Sequence, residues 1–172
     1  MTTINPTTQL SPEGLKEVQR ILQKYPEGKH KSALLPVLHI AQQECNGYLS
    51  AATMDYVAQL IGITPIEVYE VATFYSMYNT QPVGEVLIEV CRTGPCVLRG
   101  VEDTIEYLEN KLQIKVGQTT ADNKFTIKGV ECLGACGYAP MFQVGNDYYE
   151  NLTPAKIDEL LENFAKNPPA RR

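Results

Sequence analysis

No apolar run in this sequence approaches the roughly 18 residues of a membrane span. Any membrane association is therefore expected to run through partners, with no direct insertion. No basic stripe is present either: 15 Lys and Arg stand against 20 Asp and Glu, the net charge is −5, and the pI is about 5.1. Clustered positive charge is what a nucleic-acid-binding face needs, so nucleic acid is excluded as a partner. There is no Gly-x-Gly-x-x-Gly after a strand-like run and no phosphate-binding loop, so the chain shows no nucleotide or nicotinamide site of its own. Histidine is scarce. His30 falls in a polar turn and His39 on a helix. Neither has an acid or nucleophile nearby in sequence, and neither is assigned a catalytic role. Internal repeats and low-complexity segments are absent. Residues Met1 to Leu10 carry no charge and no apolar segment, and read as neither a signal nor a transit peptide. The expected location is cytoplasmic.

What is there is an ordinary globular composition, 44% hydrophobic and 20% charged over 172 residues. That length suits one domain or two small ones. Met1 to Gln9 reads as a loose tail. Ser11-Pro12 offers an N-cap followed by proline in the first turn, and Leu15, Val18, Leu22 and Tyr25 recur at helical spacing. A second helix is predicted from Lys31 to Cys45, with Leu34, Leu38, Ala41 and Cys45 on one face. A third is capped by Ser50 and stopped by Gly62. Thr64-Pro65-Ile66-Glu67 is a capping box opening a fourth helix that runs to about Met77. The aromatic and methionine content of Val68 to Tyr78 suits either helix core or a partner-facing surface.

Gln81-Pro82-Val83-Gly84 is the one clear boundary, dividing a helical domain (1–82) from a second domain (83–172). Beyond it the periodicity changes. Val86, Ile88 and Val90 alternate as in a half-buried strand. Val97, Val101, Ile105, Leu108 and Leu112 mark a helix starting at Pro95-Cys96, its charges from Glu102 to Lys111 forming a solvated face. Phe125, Ile127 and Val130 suggest another strand. Met141 to Val144 and Tyr148-Tyr149 flank a tight turn at Gly145-Asn146-Asp147. Thr153-Pro154 starts a last helix, and Pro168 to Arg172 is a frayed end. The fold class is α+β: an N-terminal all-α helical bundle followed by a small α/β domain.

Five cysteines without a secretion signal point to a reducing compartment, where spaced thiols more often bind metal than form disulfides. Four fall in two pairs, Cys91-x4-Cys96 and Cys132-x3-Cys136, each directly after a strand-like run. Thiolates are soft ligands suited to iron–sulfur clusters, zinc or copper. Two pairs can hold the two irons of a 2Fe–2S centre, one pair per iron. Gly94, Gly134 and Gly137 can take left-handed angles at no steric cost and let N–H groups approach sulfur. Cys96 in a first helical turn would gain a little from the helix dipole. On spacing alone structural zinc in a protein-bridging adaptor stays open, although zinc pairs commonly have two-residue gaps. Disulfides also stay open. A dithiol oxidoreductase is disfavoured because neither pair is Cys-x-x-Cys. Cys45, alone on an apolar helix face, reads as a buried inert thiol.

These two pairs, with Thr93-Gly94-Pro95 inside the first and Glu131 to Cys136 around the second, resemble the thioredoxin-like 2Fe–2S ferredoxin family. Gly47 to Ser50, Val68 to Tyr75 and Ala139-Pro140-Met141 extend the similarity over roughly Ser11 to Phe164. The resemblance is greatest to the members in the peripheral arm of respiratory NADH:quinone oxidoreductases. It implies that Cys91, Cys96, Cys132 and Cys136 are the ligands of one 2Fe–2S cluster, and that the second half has a thioredoxin-like fold. It also implies a role as an electron-transfer subunit beside a flavin subunit that binds FMN and oxidises NADH, among further peripheral-arm subunits. An equivalent subunit of a soluble NAD-linked hydrogenase or formate dehydrogenase is the alternative assembly. By analogy with the fold, the Ala139-Pro140 bond could be cis.

Overall fold

In a computed structural model, residues 9–169 are described. The expected tail at Met1 to Gln9, apart from Gln9 itself, and the last three residues of the expected frayed end lie outside them. The chain divides between Pro82 and Val83 into two compact units.

The first unit is helical. Helix α1 (Pro12–Leu22) starts where Ser11 accepts a hydrogen bond from the Gly14 N–H. Ser11 is itself gripped by Glu44, whose carboxylate accepts from the Ser11 N–H at 2.7 Å and from its hydroxyl at 2.9 Å. The run predicted as one helix from Lys31 is a 3-10 turn (His30–Ala33) followed by α2 (Leu34–Glu44). Pro36 then falls in the first turn of α2, where no intrahelical N–H is lost. Helix α3 (Ala51–Ile61) is capped by Ser50 and closed by Gly62 at φ 77°. Helix α4 (Pro65–Phe74) begins at the capping box. Helix α2 packs on α1, α3 and α4 around Val18, Leu38, Leu49, Val57 and Val68.

Helix α4 ends at Phe74, three residues short of the sequence expectation. Tyr75 turns extended (φ −88°, ψ 116°), and the segment beyond it is bound to α2. The buried Gln42 donates to the Met77 carbonyl at 3.1 Å and accepts from the Asn79 N–H at 2.7 Å. The aromatic run is therefore split: Val68, Ala72 and Tyr78 are core, while Phe74 and Tyr75 face outward.

At the start of α4 the Glu67 carboxylate accepts from the Thr64 N–H (2.9 Å), the Thr64 hydroxyl (2.8 Å) and Lys31 (2.7 Å). Lys31 first, then Thr64, holds its pKa down at about 2, from an ordinary 4.5. A depressed carboxyl pKa adds stability above the unfolded value and loses it as pH falls through the folded one. The difference in urea midpoint between the native chain and Glu67→Gln is therefore expected to be full above pH 4.5 and to vanish toward pH 2. A difference independent of pH would rule out the ionised cap.

The second unit is a four-stranded sheet in the order β2-β1-β3-β4. Strand β1 (Val86–Cys91) runs parallel to β2 (Phe125–Val130), with Cys91 opposite Val130. Strands β3 (Phe142–Val144) and β4 (Asp147–Tyr149) form the expected hairpin, and β3 pairs antiparallel with β1. The crossover from β1 to β2 is not the single helix the periodicity suggests. It is a short α5 (Gly94–Leu98) and a separate α6 (Val101–Leu112), broken at Gly100, which sits at φ 85°. Helix α7 (Pro154–Lys166) is capped by Thr153 and packs on α6, which in turn contacts β1 and β2. Val86, Ile88, Val90, Ile127, Phe142, Leu108, Ile157 and Phe164 form the core. This sheet brings the ends of β1 and β2 side by side, so the two cysteine loops leave from neighbouring points. The Ala139-Pro140 bond is cis.

Candidate iron–sulfur site

Cys91 is the last residue of β1 and is buried, and Cys96 is buried in α5. Their sulfurs stand 3.3 Å apart. Two thiolates at about 2.3 Å from one tetrahedral metal stand roughly 3.8 Å apart, so a small opening of this pair fits one metal atom. The second loop begins just past β2. Cys132 and Cys136 are both exposed. Tyr148 braces this loop from β4 by donating to the Leu133 carbonyl at 2.6 Å, and Asn151 holds its exit by donating to the Tyr138 carbonyl at 2.7 Å. All five thiols are free.

The loops meet at Cys91. Its sulfur is hydrogen-bonded with the Thr93 hydroxyl at 3.2 Å, accepts from the Cys96 thiol at 3.3 Å, and is also stabilised as a thiolate by the Thr93 N–H and by the Leu133 N–H from the other loop. Burial pushes the Cys91 thiol up, but these donors outweigh it and leave the pKa lowered. Cys96 goes the other way, to about 11, through burial first, then Cys91, then the charges of Cys136 and Cys132. Among the described residues no three His, Cys, Asp or Glu side chains gather around one point as for a single metal ion.

Of the three glycines expected to free the loops, only Gly134 has a positive φ, 78°. Its N–H reaches the Cys132 sulfur at 3.4 Å. Gly94 is the first residue of α5 and Gly137 lies in the 3-10 turn Cys136–Tyr138. The dipole expected to favour Cys96 shrinks with its helix, which has five residues, not the long run predicted. Three partners were not foreseen from the sequence: the Thr93 hydroxyl, the Leu133 N–H and Tyr148. A threonine two residues after a candidate ligand cysteine is the one readable signal, since its short side chain can turn back on the loop. Cys45 lies in the helical unit, where burial raises its pKa.

A sequence profile for the thioredoxin-like [2Fe-2S] ferredoxins matches residues 18–165. The chain belongs to that family. A 2Fe–2S cluster is thus its family's cofactor, and two pairs of soft donors from adjoining loops fit that group. The chain is 46% identical over 159 residues to NADH dehydrogenase [ubiquinone] flavoprotein 2, mitochondrial, of Dictyostelium discoideum. That match covers 92% of this chain but 64% of the relative. It is 44% identical over 162 residues to the NADH-quinone oxidoreductase E-subunit of Rickettsia typhi, covering 94% of this chain and 95% of that protein. Among solved structures, an NAD+-reducing [NiFe]-hydrogenase in the H2-reduced state superposes with a TM-score of 0.68 at 25% identity. There 79% of this chain is covered, but only 22% of the hydrogenase chain.

Proposed function

We propose that this chain is an electron-transfer subunit of an NADH:quinone oxidoreductase, with one 2Fe–2S cluster held by Cys91, Cys96, Cys132 and Cys136. The observation that carries this reading is the similarity to the rickettsial oxidoreductase subunit, which runs through both units and nearly the full length of that relative. When bound, such a cluster gives and takes one electron at a time. The chain's own part is to hold it and to set its surroundings. Cys91 and Cys96 supply two buried sulfurs, shielded from water, while Cys132 and Cys136 supply two exposed ones. Leu98, 90% exposed and two residues after Cys96, and Tyr138, two residues after Cys136 and also exposed, put large apolar side chains on the same loops. Exposed apolar residues grouped in this way suit a protein partner. In this reading the partner is a flavin subunit that carries FMN and oxidises NADH. No helix among the described residues is long and apolar enough to cross a membrane; in this reading attachment to the membrane runs through the other subunits of the complex.

A second reading, a subunit of an NAD-linked hydrogenase, is favoured by the structural likeness alone, and its 25% identity is well below that to the respiratory subunits. Anaerobic isolation from the native host separates the readings. Red-brown protein is expected, with iron and acid-labile sulfide in equal amounts, a paramagnetic signal on one-electron reduction, and a co-purifying flavoprotein that oxidises NADH. Absence of acid-labile sulfide would overturn the assignment. A co-purifying nickel protein would select the hydrogenase.

A further inference from the structure

The four candidate ligands are not equally served by hydrogen bonds. Among the described residues, the Cys132 sulfur accepts one N–H, from Gly134, and is open to water. Cys91 is 1% exposed, and its sulfur meets the Thr93 hydroxyl at 3.2 Å, the Cys96 thiol at 3.3 Å and the Thr93 and Leu133 N–H groups. A lost donor at Cys132 can be replaced by solvent. At Cys91 there is no room for that replacement, so whatever donor is removed there stays missing. Two of its donors are main-chain N–H groups, which no substitution removes cleanly. The Cys96 thiol loses its proton on binding metal, which leaves the Thr93 hydroxyl as the side-chain donor.

A thiolate bound to metal carries no proton. In the loaded protein the 3.2 Å contact between Thr93 Oγ1 and Cys91 Sγ must therefore run from hydroxyl to sulfur. A donor on a ligand sulfur favours the state with one more negative charge and so raises the reduction potential. The effect is large where the local dielectric is low. We propose that Thr93 is a positioning residue that sets the cluster's reduction potential through the Cys91 sulfur. The inference rests on the four-thiolate reading above.

The test uses the full chain carrying its cluster, with the midpoint read by a redox titration followed by paramagnetic resonance. Thr93→Val keeps the shape and loses the hydroxyl, and Thr93→Ser keeps the hydroxyl. In Thr93→Val the one-electron equilibrium is expected to shift about tenfold toward the oxidised form, equivalent to about 59 mV more negative. Thr93→Ser should stay close to the native midpoint. If Thr93→Val does not take up the cluster, Thr93→Ala carries the same expectation. A hydroxyl-free variant with full iron and sulfide and the native midpoint overturns the inference and leaves the ligand assignment standing. So does a serine variant shifted as far as the valine one. Native protein without acid-labile sulfide overturns the reading beneath it.

Discussion

Cys96→Ala is expected to fold normally and to retain no 2Fe–2S cluster. The side chain is buried beside Cys91, 3.3 Å from its sulfur. Its loss leaves one metal position with a single thiolate. No other thiol can step in, because the fifth cysteine, Cys45, is buried in the helical unit. Outer-shell substitutions at metal sites typically cost 10–100-fold in affinity, and removal of a ligand is expected to exceed that. Folding is a separate matter. Alanine is the best helix former, so α5 keeps its backbone preference. The readout is iron and acid-labile sulfide per chain, with the visible absorption, beside far-ultraviolet circular dichroism to check the fold. Cys45→Ala is the control and should keep both colour and iron. A brown Cys96→Ala protein with full sulfide content removes Cys96 from the ligand set.

The two cysteine pairs were legible as candidate ligands because metal binding demands particular atoms at short spacing, and that demand is written locally in the chain. The same holds for the caps at Ser11, Ser50 and Thr153 and for the β3–β4 turn, where one or two residues decide the backbone. What the sequence hides is decided by residues far apart. The helical pattern from Val97 to Leu112 runs through Gly100 without interruption, and only the left-handed angle there shows that α5 and α6 are separate. The alternation of Val86, Ile88 and Val90 suggests a strand with one wet face, yet Glu89 and Cys91 between and beyond them are buried as well. Glu89 stands in register with Lys128, whose pKa burial lowers and the Glu89 charge raises. Such a pairing depends on strand order, which hydrophobic periodicity does not encode. The Leu133 N–H on Cys91 belongs to the same class, since two loops some forty residues apart in sequence supply its two ends.

Gln42→Leu is expected to lower stability by about 2–4 kcal/mol, although α2 reads as an apolar helix that ought to welcome leucine. Gln42 is 3% exposed and satisfies two main-chain groups at once, the Met77 carbonyl and the Asn79 N–H. Asn79, also buried, passes the connection on: its side chain donates to the Gly47 carbonyl at 3.0 Å, and its own carbonyl accepts from the Leu49 N–H at 2.7 Å. One glutamine thus ties α2, the turn before α3 and the segment after α4 into a single polar knot inside an apolar unit. Removing a partner from a buried polar group costs about 1–3 kcal/mol each, and two groups lose one here. The methyl groups gained by leucine offset only part of that. Against a total stability of about 5–15 kcal/mol, the loss should appear as a clear fall in urea midpoint at unchanged m-value. Asn79→Ala should be coupled to it, the double variant losing less than the two single losses added. A Gln42→Leu protein within about 0.5 kcal/mol of native would mean that the end of α4 is fixed by the aromatic residues on either side of it, and not by this knot.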